Sequence, residues 1–161
     1  MSTQGLGAAH RTKKWIVYLL FAVGVILVGG LIGSQVQPGE WYRSLEKPPF
    51  NPPDWVFGPV WTILYAMIGV AGARIFLVNP RSVPMAFWVA QMVLNWAWTP
   101  LWFGENLIWQ AFAVVCLLLI AIVGFIFTAW RQDRIAAWLF VPYLCWVAFA
   151  ATLNLSIGLL N

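Results

Sequence analysis

The chain has 161 residues, of which 62% are hydrophobic and only 9% are charged, and its formal net charge is +4. The mean hydropathy is +0.81. A soluble domain of this size could not cover its surface with so few charges, so the composition excludes that class. It predicts an all-α integral membrane protein.

The basic residues and the cysteines exclude two further classes of site. The positive charge does not indicate nucleic-acid binding, because the basic residues lie at the ends of apolar segments, where they signal topology. Cys116 and Cys145 each stand alone in an apolar run. This pattern predicts buried, inert thiols, with neither disulfide nor metal spacing.

The N-terminal part of the chain predicts a tail followed by a first membrane span. Residues 1–14 read as a flexible basic tail, and His10, the only histidine, reads as a tail residue. The apolar run over residues 15–35 is long enough to cross a bilayer. Gly29 and Gly33 form a G-x-x-x-G pattern, which either allows another helix to approach closely or reflects the tolerance of glycine in membrane helices.

The stretch from Glu40 to Trp61 is unusually rich in proline and aromatic residues. It contains five prolines, and proline fixes φ and disfavours helix at the residue before it, so residues 47–53 cannot be helical. We therefore predict a long, stiff, extended loop over residues 36–54 that closes over the helices as a lid. Asp54 is predicted to cap the next helix.

Four more helices are predicted, over residues 55–78, 84–103, 107–130 and 135–160, and three of them carry polar or aromatic faces. Trp61 and Tyr65 lie one turn apart on a single face. Gln91 and Asn95 should face the bundle interior, because amides in hydrocarbon need partners. The remaining side chains at helical spacing are Trp98 on the third helix and Tyr143, Trp146, Ala150 and Asn154 on the fifth.

Charge asymmetry predicts the orientation of these five spans. Seven of the nine basic residues fall on the side of the N-terminus, and these are Arg11, Lys13, Lys14, Arg74, Arg81, Arg131 and Arg134. The positive-inside rule then places the N-terminus on the inner side and the proline-rich loop outside. The membrane in which the protein resides is not determined by the sequence.

The predicted spans contain no acidic residue, lysine or histidine that would couple transport to protons. They also lack a nucleophile–base pair and a metal-ligand cluster, so no catalytic residue, metal site or required cofactor is predicted. A binding cavity remains, and its indoles, phenols and amides suit a large, flat, apolar ligand with polar edges. The alternative is that these aromatic residues simply fill the core.

Three blocks of sequence resemble one known family. They read W-Y-x-x-L-x-K-P-x-x-x-P-P-x-W-x-F-x-x-V-W-x-x-L-Y from Trp41, A-Q-x-x-L-N-x-x-W from Ala90, and P-Y-x-x-W-x-x-x-A-x-x-L-N from Pro142. In this order they are similar to the tryptophan-rich sensory protein, or translocator protein, family (TspO/MBR), also called the peripheral benzodiazepine receptor family. The resemblance extends from about residue 35 to the C-terminus.

The resemblance implies a bundle of five transmembrane helices, commonly a homodimer, that acts as a receptor or sensor. It implies porphyrins, haem and related tetrapyrroles as ligands, and isoquinoline or benzodiazepine drugs in animal members. Some bacterial members of the family degrade protoporphyrin in light and oxygen, so such an enzyme is an alternative function. A transport or scaffold protein for tetrapyrroles or lipids is another.

The family's ligand-binding residues match this chain at Tyr42, Pro52, Trp61, Asn95, Trp146 and Ala150. Trp61 and Trp146 also match the tryptophans associated with porphyrin degradation and are catalytic only if that reaction occurs. One departure is clear, because no basic residue follows Asn154, so the family's sterol motif at the end of the last helix is missing.

Overall fold

The computed structural model describes the backbone of residues 4–36 and 39–161 and the side chains from residue 14 onward within those ranges. The described residues form an all-helical protein without strands. Six α-helices follow one another in the order α1 (Gln4–Gln35), α2 (Glu40–Ser44), α3 (Phe57–Val78), α4 (Val83–Thr99), α5 (Ile108–Ala129) and α6 (Arg134–Leu160).

The first helix begins earlier than the sequence predicts. α1 starts at Gln4 rather than near Trp15, so its backbone is helical through most of the predicted tail. Residues 1–3 and the side chains of residues 4–13, including His10, lie outside the described part of the chain. The flexibility of the tail therefore stays a prediction, whereas the end of the helix at Gln35 agrees with the predicted boundary.

The predicted long loop is interrupted by regular structure. The short helix α2 lies inside it, and a 3-10 turn, Asp54–Val56, leads into α3. Residues 47–53 contain no helix, as their prolines require. The prediction that Asp54 caps the helix is wrong, because Asp54 opens the 3-10 turn and α3 begins at Phe57 without a side-chain cap.

The fourth helix changes its hydrogen-bonding pattern at Pro100. α4 ends at Thr99, and Pro100–Gly104 continues as a single π-helical turn. The N–H of Glu105 donates to the carbonyl oxygen of Pro100 at 2.9 Å, five residues back. Because proline has no N–H to donate, the α-helical ladder is interrupted at Pro100, and the chain beyond it forms the wider π-helical turn.

Four of the described helical segments are long and apolar enough to cross a membrane. They are Lys14–Gln35, Asp54–Val78, Ile108–Ala129 and Arg134–Leu160. α4, with 17 residues, is not among them. The prediction of five spanning helices and one long loop is therefore confirmed only in part. The protein is helical, but its described residues form six helices, including the short α2, and four of the segments meet the criteria for a span.

The core lies where α3, α4, α5 and α6 pack together, and α1 covers the outer side of α3. Gly69 on α3 faces the backbone of Ala22 on α1, where any added Cβ would collide. This contact brings the two helices close together. On the other side, the rings of Phe125 and Phe140 stack with centroids 3.8 Å apart and join α5 to α6.

Contacts between distant residues identify the two ends of the bundle. At one end, Nε of Arg74 on α3 lies 2.9 Å from Oδ2 of Asp133, just before α6. At the other end, the N–H of Glu46 donates to Oδ1 of Asn161 at 2.9 Å, and Nδ2 of Asn161 donates to the Glu46 carbonyl at 3.0 Å. The proline-rich segment and the end of α6 are therefore held together at one end.

The two cysteine side chains are more exposed than the sequence predicts. Cys116 is half-buried and Cys145 is exposed on the outside of the bundle, so the prediction that both are buried is wrong. An exposed thiol is compatible with an apolar helix because, in a membrane protein, the outer surface of the bundle faces hydrocarbon.

Candidate ligand-binding site

A cavity of about 560 Å³ lies at the end of the bundle where α2 and the proline-rich segment are found. This volume is typical of small-molecule sites, which span about 300–1,000 Å³. Its walls come from α1, α3, the end of α4 and the π-helical turn, and α2 and the 3-10 turn close its rim. The sixteen lining residues are Ile26, Gly29, Gly30, Gly33, Val36, Arg43, Asp54, Trp55, Phe57, Gly58, Trp61, Thr62, Tyr65, Trp98, Thr99 and Phe103.

Two contrasting surfaces line this cavity, one of aromatic rings and one that is rich in glycine. On α3, the rings of Trp61 and Tyr65 lie 5.2 Å apart at an interplanar angle of 34°, which confirms that the two residues share one face. On α1, Gly29, Gly30 and Gly33 contribute backbone without side chains. A Cβ at Gly29 would collide with the Tyr65 ring. The first glycine of the G-x-x-x-G pattern thus allows a close approach within the chain.

A buried chain of hydrogen bonds leads away from the cavity at Tyr65. The Tyr65 hydroxyl donates to Oδ1 of Asn95 at 3.1 Å, and Nδ2 of Asn95 donates to the Tyr143 hydroxyl at 3.0 Å. The Tyr143 hydroxyl donates in turn to Oε1 of Gln91 at 3.0 Å. Nε2 of Gln91 ends the chain on the carbonyl oxygen of Trp88 at 2.9 Å.

This network confirms that the two amides face the interior, since Gln91 is 0% exposed and Asn95 is 3% exposed. It also explains why they are tolerated there, because each amide has partners for both its donor and its acceptor side. Neither residue lines the cavity, and neither does Tyr143. These three residues can therefore influence a ligand only indirectly, through Tyr65, unless the network rearranges and exposes them to the cavity.

A second polar contact fixes the position of Trp98. Its indole N–H donates to Oδ1 of Asn154 at 3.3 Å, and Nδ2 of Asn154 donates to the Ile108 carbonyl at 3.1 Å. The Trp98 ring stacks on that of Trp102 at 6.1 Å and an interplanar angle of 11°. Trp98 thereby presents one part of its ring to the cavity and another to a tight gap beside Tyr42, Ala150 and Asn154.

Tyr42 anchors α2 under the proline-rich segment. Its side chain is 2% exposed, and its hydroxyl donates to Oδ1 of Asn51 at 3.0 Å. Nζ of Lys47 lies 4.8 Å from the centre of its ring. Burial and, secondarily, the nearby Asp54 carboxylate raise the pKa of Tyr42 to about 12, against the opposing effect of the Asn51 hydrogen bond.

Two further residues that were predicted to bind ligand, Pro52 and Trp146, do not line the main cavity. Pro52 is half-buried, and its carbonyl accepts a hydrogen bond from Nδ2 of Asn51 at 3.1 Å. Trp146 packs against Phe57 and Phe149, with ring centroids 5.9 and 5.6 Å away. Its buried indole N–H has no hydrogen-bond partner among the described residues. The structure therefore does not bring Trp146 and Trp61 to opposite sides of this cavity.

Of the eleven residues predicted to bind ligand, Trp61, Tyr65 and Trp98 line the main cavity. The sequence missed the glycine face of α1 as a cavity wall, although the G-x-x-x-G pattern marked its position. It also missed Arg43 and Asp54 at the rim, for which no periodic signal exists. Within the described ranges, no three His, Cys, Asp or Glu side chains come together as a candidate metal site.

These features define an integral, multi-pass membrane protein with an aromatic cavity at one end of a helical bundle. The chain belongs to the TspO/MBR family, whose sequence model matches residues 16–160.

Several curated proteins are similar to it over most of their length. It is 42% identical to the translocator protein of Ovis aries over 145 residues, which cover 83% of this chain and 85% of that protein. It is 39% identical to the tryptophan-rich protein TspO of Chlorobaculum tepidum over 156 residues, covering 92% and 99%. It is 35% identical to the tryptophan-rich sensory protein of Cereibacter sphaeroides over 147 residues, covering 91% and 92%.

Proposed function

We propose that this protein is a membrane receptor or sensor that binds porphyrins and related tetrapyrroles in the cavity between α1 and α3. The observation that carries the proposal is an aromatic wall, formed by the rings of Trp61 and Tyr65, beside the open backbone of Gly30 and Gly33 on α1. A planar macrocycle can stack on an exposed aromatic ring and extend over glycine backbone, where no side chain obstructs it. Family membership supports the receptor or sensor role.

The proposal includes five spans and a defined orientation. α4 and the π-helical turn together run from Val83 to Gly104, which is long enough to complete a fifth crossing. The ion pair between Arg74 and Asp133 supports placing the α3–α4 and α5–α6 connections on one side of the membrane. By the positive-inside rule, that side is the inner one.

The homodimer remains part of the proposal on the strength of the family resemblance. The glycine pattern of α1 gives it little support, because Gly29 already packs against Tyr65 within the chain and Gly33 lines the cavity. Cross-linking in native membranes would test it, and a monomer at all protein concentrations would contradict it.

Degradation of protoporphyrin is less well supported than binding. That reaction would place Trp61 and Trp146 at the ligand, yet only Trp61 lines the cavity. Comparing the bleaching of protoporphyrin under light and oxygen, with and without the protein, separates the two functions. Equal bleaching rates would leave binding as the function.

Titration of the purified protein in detergent with protoporphyrin IX tests the proposal, with tryptophan quenching and the porphyrin absorption band as readouts. We expect Trp61→Ala to weaken binding about tenfold, because the ligand loses its stacking surface. Trp138→Ala is the matched control, since Trp138 is 60% exposed near the start of α6, away from the cavity. Trp146→Ala should weaken binding less than Trp61→Ala, because Trp146 does not line the cavity.

The proposal fails if the wild-type protein does not bind protoporphyrin IX, or if Trp61→Ala and Trp138→Ala bind it equally well. Tight binding of a sterol by the same protein, in place of the porphyrin, would assign the cavity to a different ligand class.

A further inference from the structure

Two charged side chains stand at the rim of an otherwise uncharged cavity. Among its lining residues, Arg43 and Asp54 are the charged ones, and both are exposed. The deeper lining is aromatic, aliphatic or glycine, with hydroxyl groups from Thr62, Thr99 and Tyr65. A ligand in this cavity therefore meets formal charge only where the cavity reaches the surface.

The guanidinium of Arg43 has no partner among the described residues. No ion pair or side-chain hydrogen bond involves it, although its backbone carbonyl accepts from Nζ of Lys47 at 3.2 Å. The Asp54 carboxylate likewise lies in no ion pair within the described ranges. Arg43 and Asp54 thus do not form an ion pair with each other, and the five guanidinium N–H donors of Arg43 are free to bind an anion.

The backbone that carries Arg43 is held firmly. Arg43 follows Tyr42 directly in α2, and Tyr42 is buried and hydrogen-bonded to Asn51. Lys47 bridges the carbonyls of Arg43 and Leu45, at 3.2 and 3.0 Å. The backbone of this turn is therefore held at the rim before any ligand arrives, so that binding has to order only the Arg43 side chain.

We propose that Arg43 is a specificity-determining residue that binds a carboxylate at the edge of the ligand while the apolar body of the ligand fills the cavity. This inference rests on the proposed function, because protoporphyrin carries its two carboxylates on one edge of an apolar plane. The planar guanidinium fork matches a carboxylate in two parallel hydrogen bonds. Asp54, on the same rim, repels a carboxylate and so favours an orientation in which the acidic edge lies nearer Arg43.

Protoporphyrin IX and its dimethyl ester test the inference, since the two share one macrocycle and differ in charge. The full chain in neutral detergent is titrated with each at low and high salt. We expect the free acid to gain about three- to tenfold in affinity from Arg43 at low salt, since exposed pairs contribute modestly, and to lose most of this gain at high salt.

Four variants make the test specific to Arg43. Arg43→Gln should weaken binding of the free acid and leave binding of the ester unchanged, and Arg43→Lys should fall between Arg43→Gln and wild type. Asp54→Asn should strengthen binding of the acid. Arg81→Gln, an exposed arginine in the connection after α3 at the opposite end of the bundle, is the matched control and should change nothing.

The outcomes separate the two levels of the proposal. If Arg43→Gln changes acid and ester binding equally, or changes neither, the carboxylate contact is refuted, while binding of the macrocycle in the cavity stands. If the wild-type protein binds neither porphyrin, the proposed function is refuted and this inference with it. Because ester and acid partition differently into micelles, the decisive quantity is the ratio of variant to wild-type affinity for each ligand.

Discussion

Removing one hydroxyl from the buried polar network should destabilise the bundle more than removing the whole network. In Tyr143→Phe, Asn95 loses the acceptor of its Nδ2 donor and Gln91 loses the donor to its Oε1 acceptor, two hydrogen bonds of 3.0 Å. Tyr143 and Gln91 are 0% exposed and Asn95 is 3% exposed, so water cannot replace the missing partner.

The expected cost follows from the count of broken bonds. Hydrogen bonds between membrane helices contribute about 0.6 kcal/mol on average and about 1.7 kcal/mol at most. Two broken bonds therefore predict a loss of about 1–3 kcal/mol in the free energy of unfolding. Replacing the whole network at once, by Tyr65→Phe, Gln91→Leu, Asn95→Leu and Tyr143→Phe together, leaves no polar side chain of the network unsatisfied and should cost less than the single change.

Unfolding by sodium dodecyl sulfate in mixed micelles, followed by far-UV circular dichroism, measures these differences. Tyr18→Phe on α1 is the control, because the half-buried Tyr18 hydroxyl makes no hydrogen bond with the described residues. The reasoning is refuted if Tyr143→Phe is as stable as Tyr18→Phe, or if the fully apolar variant is the least stable of the three.

Three further predictions concern the helix contacts and the proline-rich segment. Gly69→Ala should cost about 1–3 kcal/mol in the same unfolding assay, since its Cβ collides with the backbone of α1, whereas Gly24→Ala, with open space around it, should be neutral or stabilising. Asp133→Ala should lower the free energy of unfolding by about 1–2 kcal/mol, because Asp133 both pairs with Arg74 and caps α6. Arg74→Gln removes only the ion pair and should lower it by about 0.5 kcal/mol. Equal losses would contradict the capping role. The segment anchored by Tyr42 should be stable below pH 10 and be released as the pH rises towards 12, because the pKa of Tyr42 in the folded protein lies above its ordinary value. Cleavage of the segment by a protease, measured as a function of pH, tests this. A cleavage rate that does not depend on pH would contradict it.

Much of the fold could be predicted from local pattern. The boundaries of the four later helices lie within a few residues of those observed, because apolar runs of this length and the prolines between them are read directly from the chain. The burial of Gln91 and Asn95 also followed from the sequence, since amides cannot face hydrocarbon unpaired. The π-helical turn at Pro100 did not follow from these local patterns.

The candidate site was predicted less completely. Trp61 and Tyr65 were assigned to one face correctly, because positions four apart on a helix share a face whatever surrounds it. Trp146, in contrast, packs beside Phe57 rather than on the main cavity. Its placement depends on how α6 is rotated against α3, which no pattern within α6 alone specifies.

The sequence by itself determined the membrane class, the helical segments and the residues that had to find polar partners. These properties depend on whether each segment is surrounded by water or by hydrocarbon, and composition and periodicity report this directly. Only the tertiary structure decided which of those residues share one space. It joined the glycine face of α1 to the rings of α3 and brought Arg43 and Asp54 to the same rim. These juxtapositions arise from close helix approach and from the path of the proline-rich segment, and both depend on contacts between residues far apart in the chain.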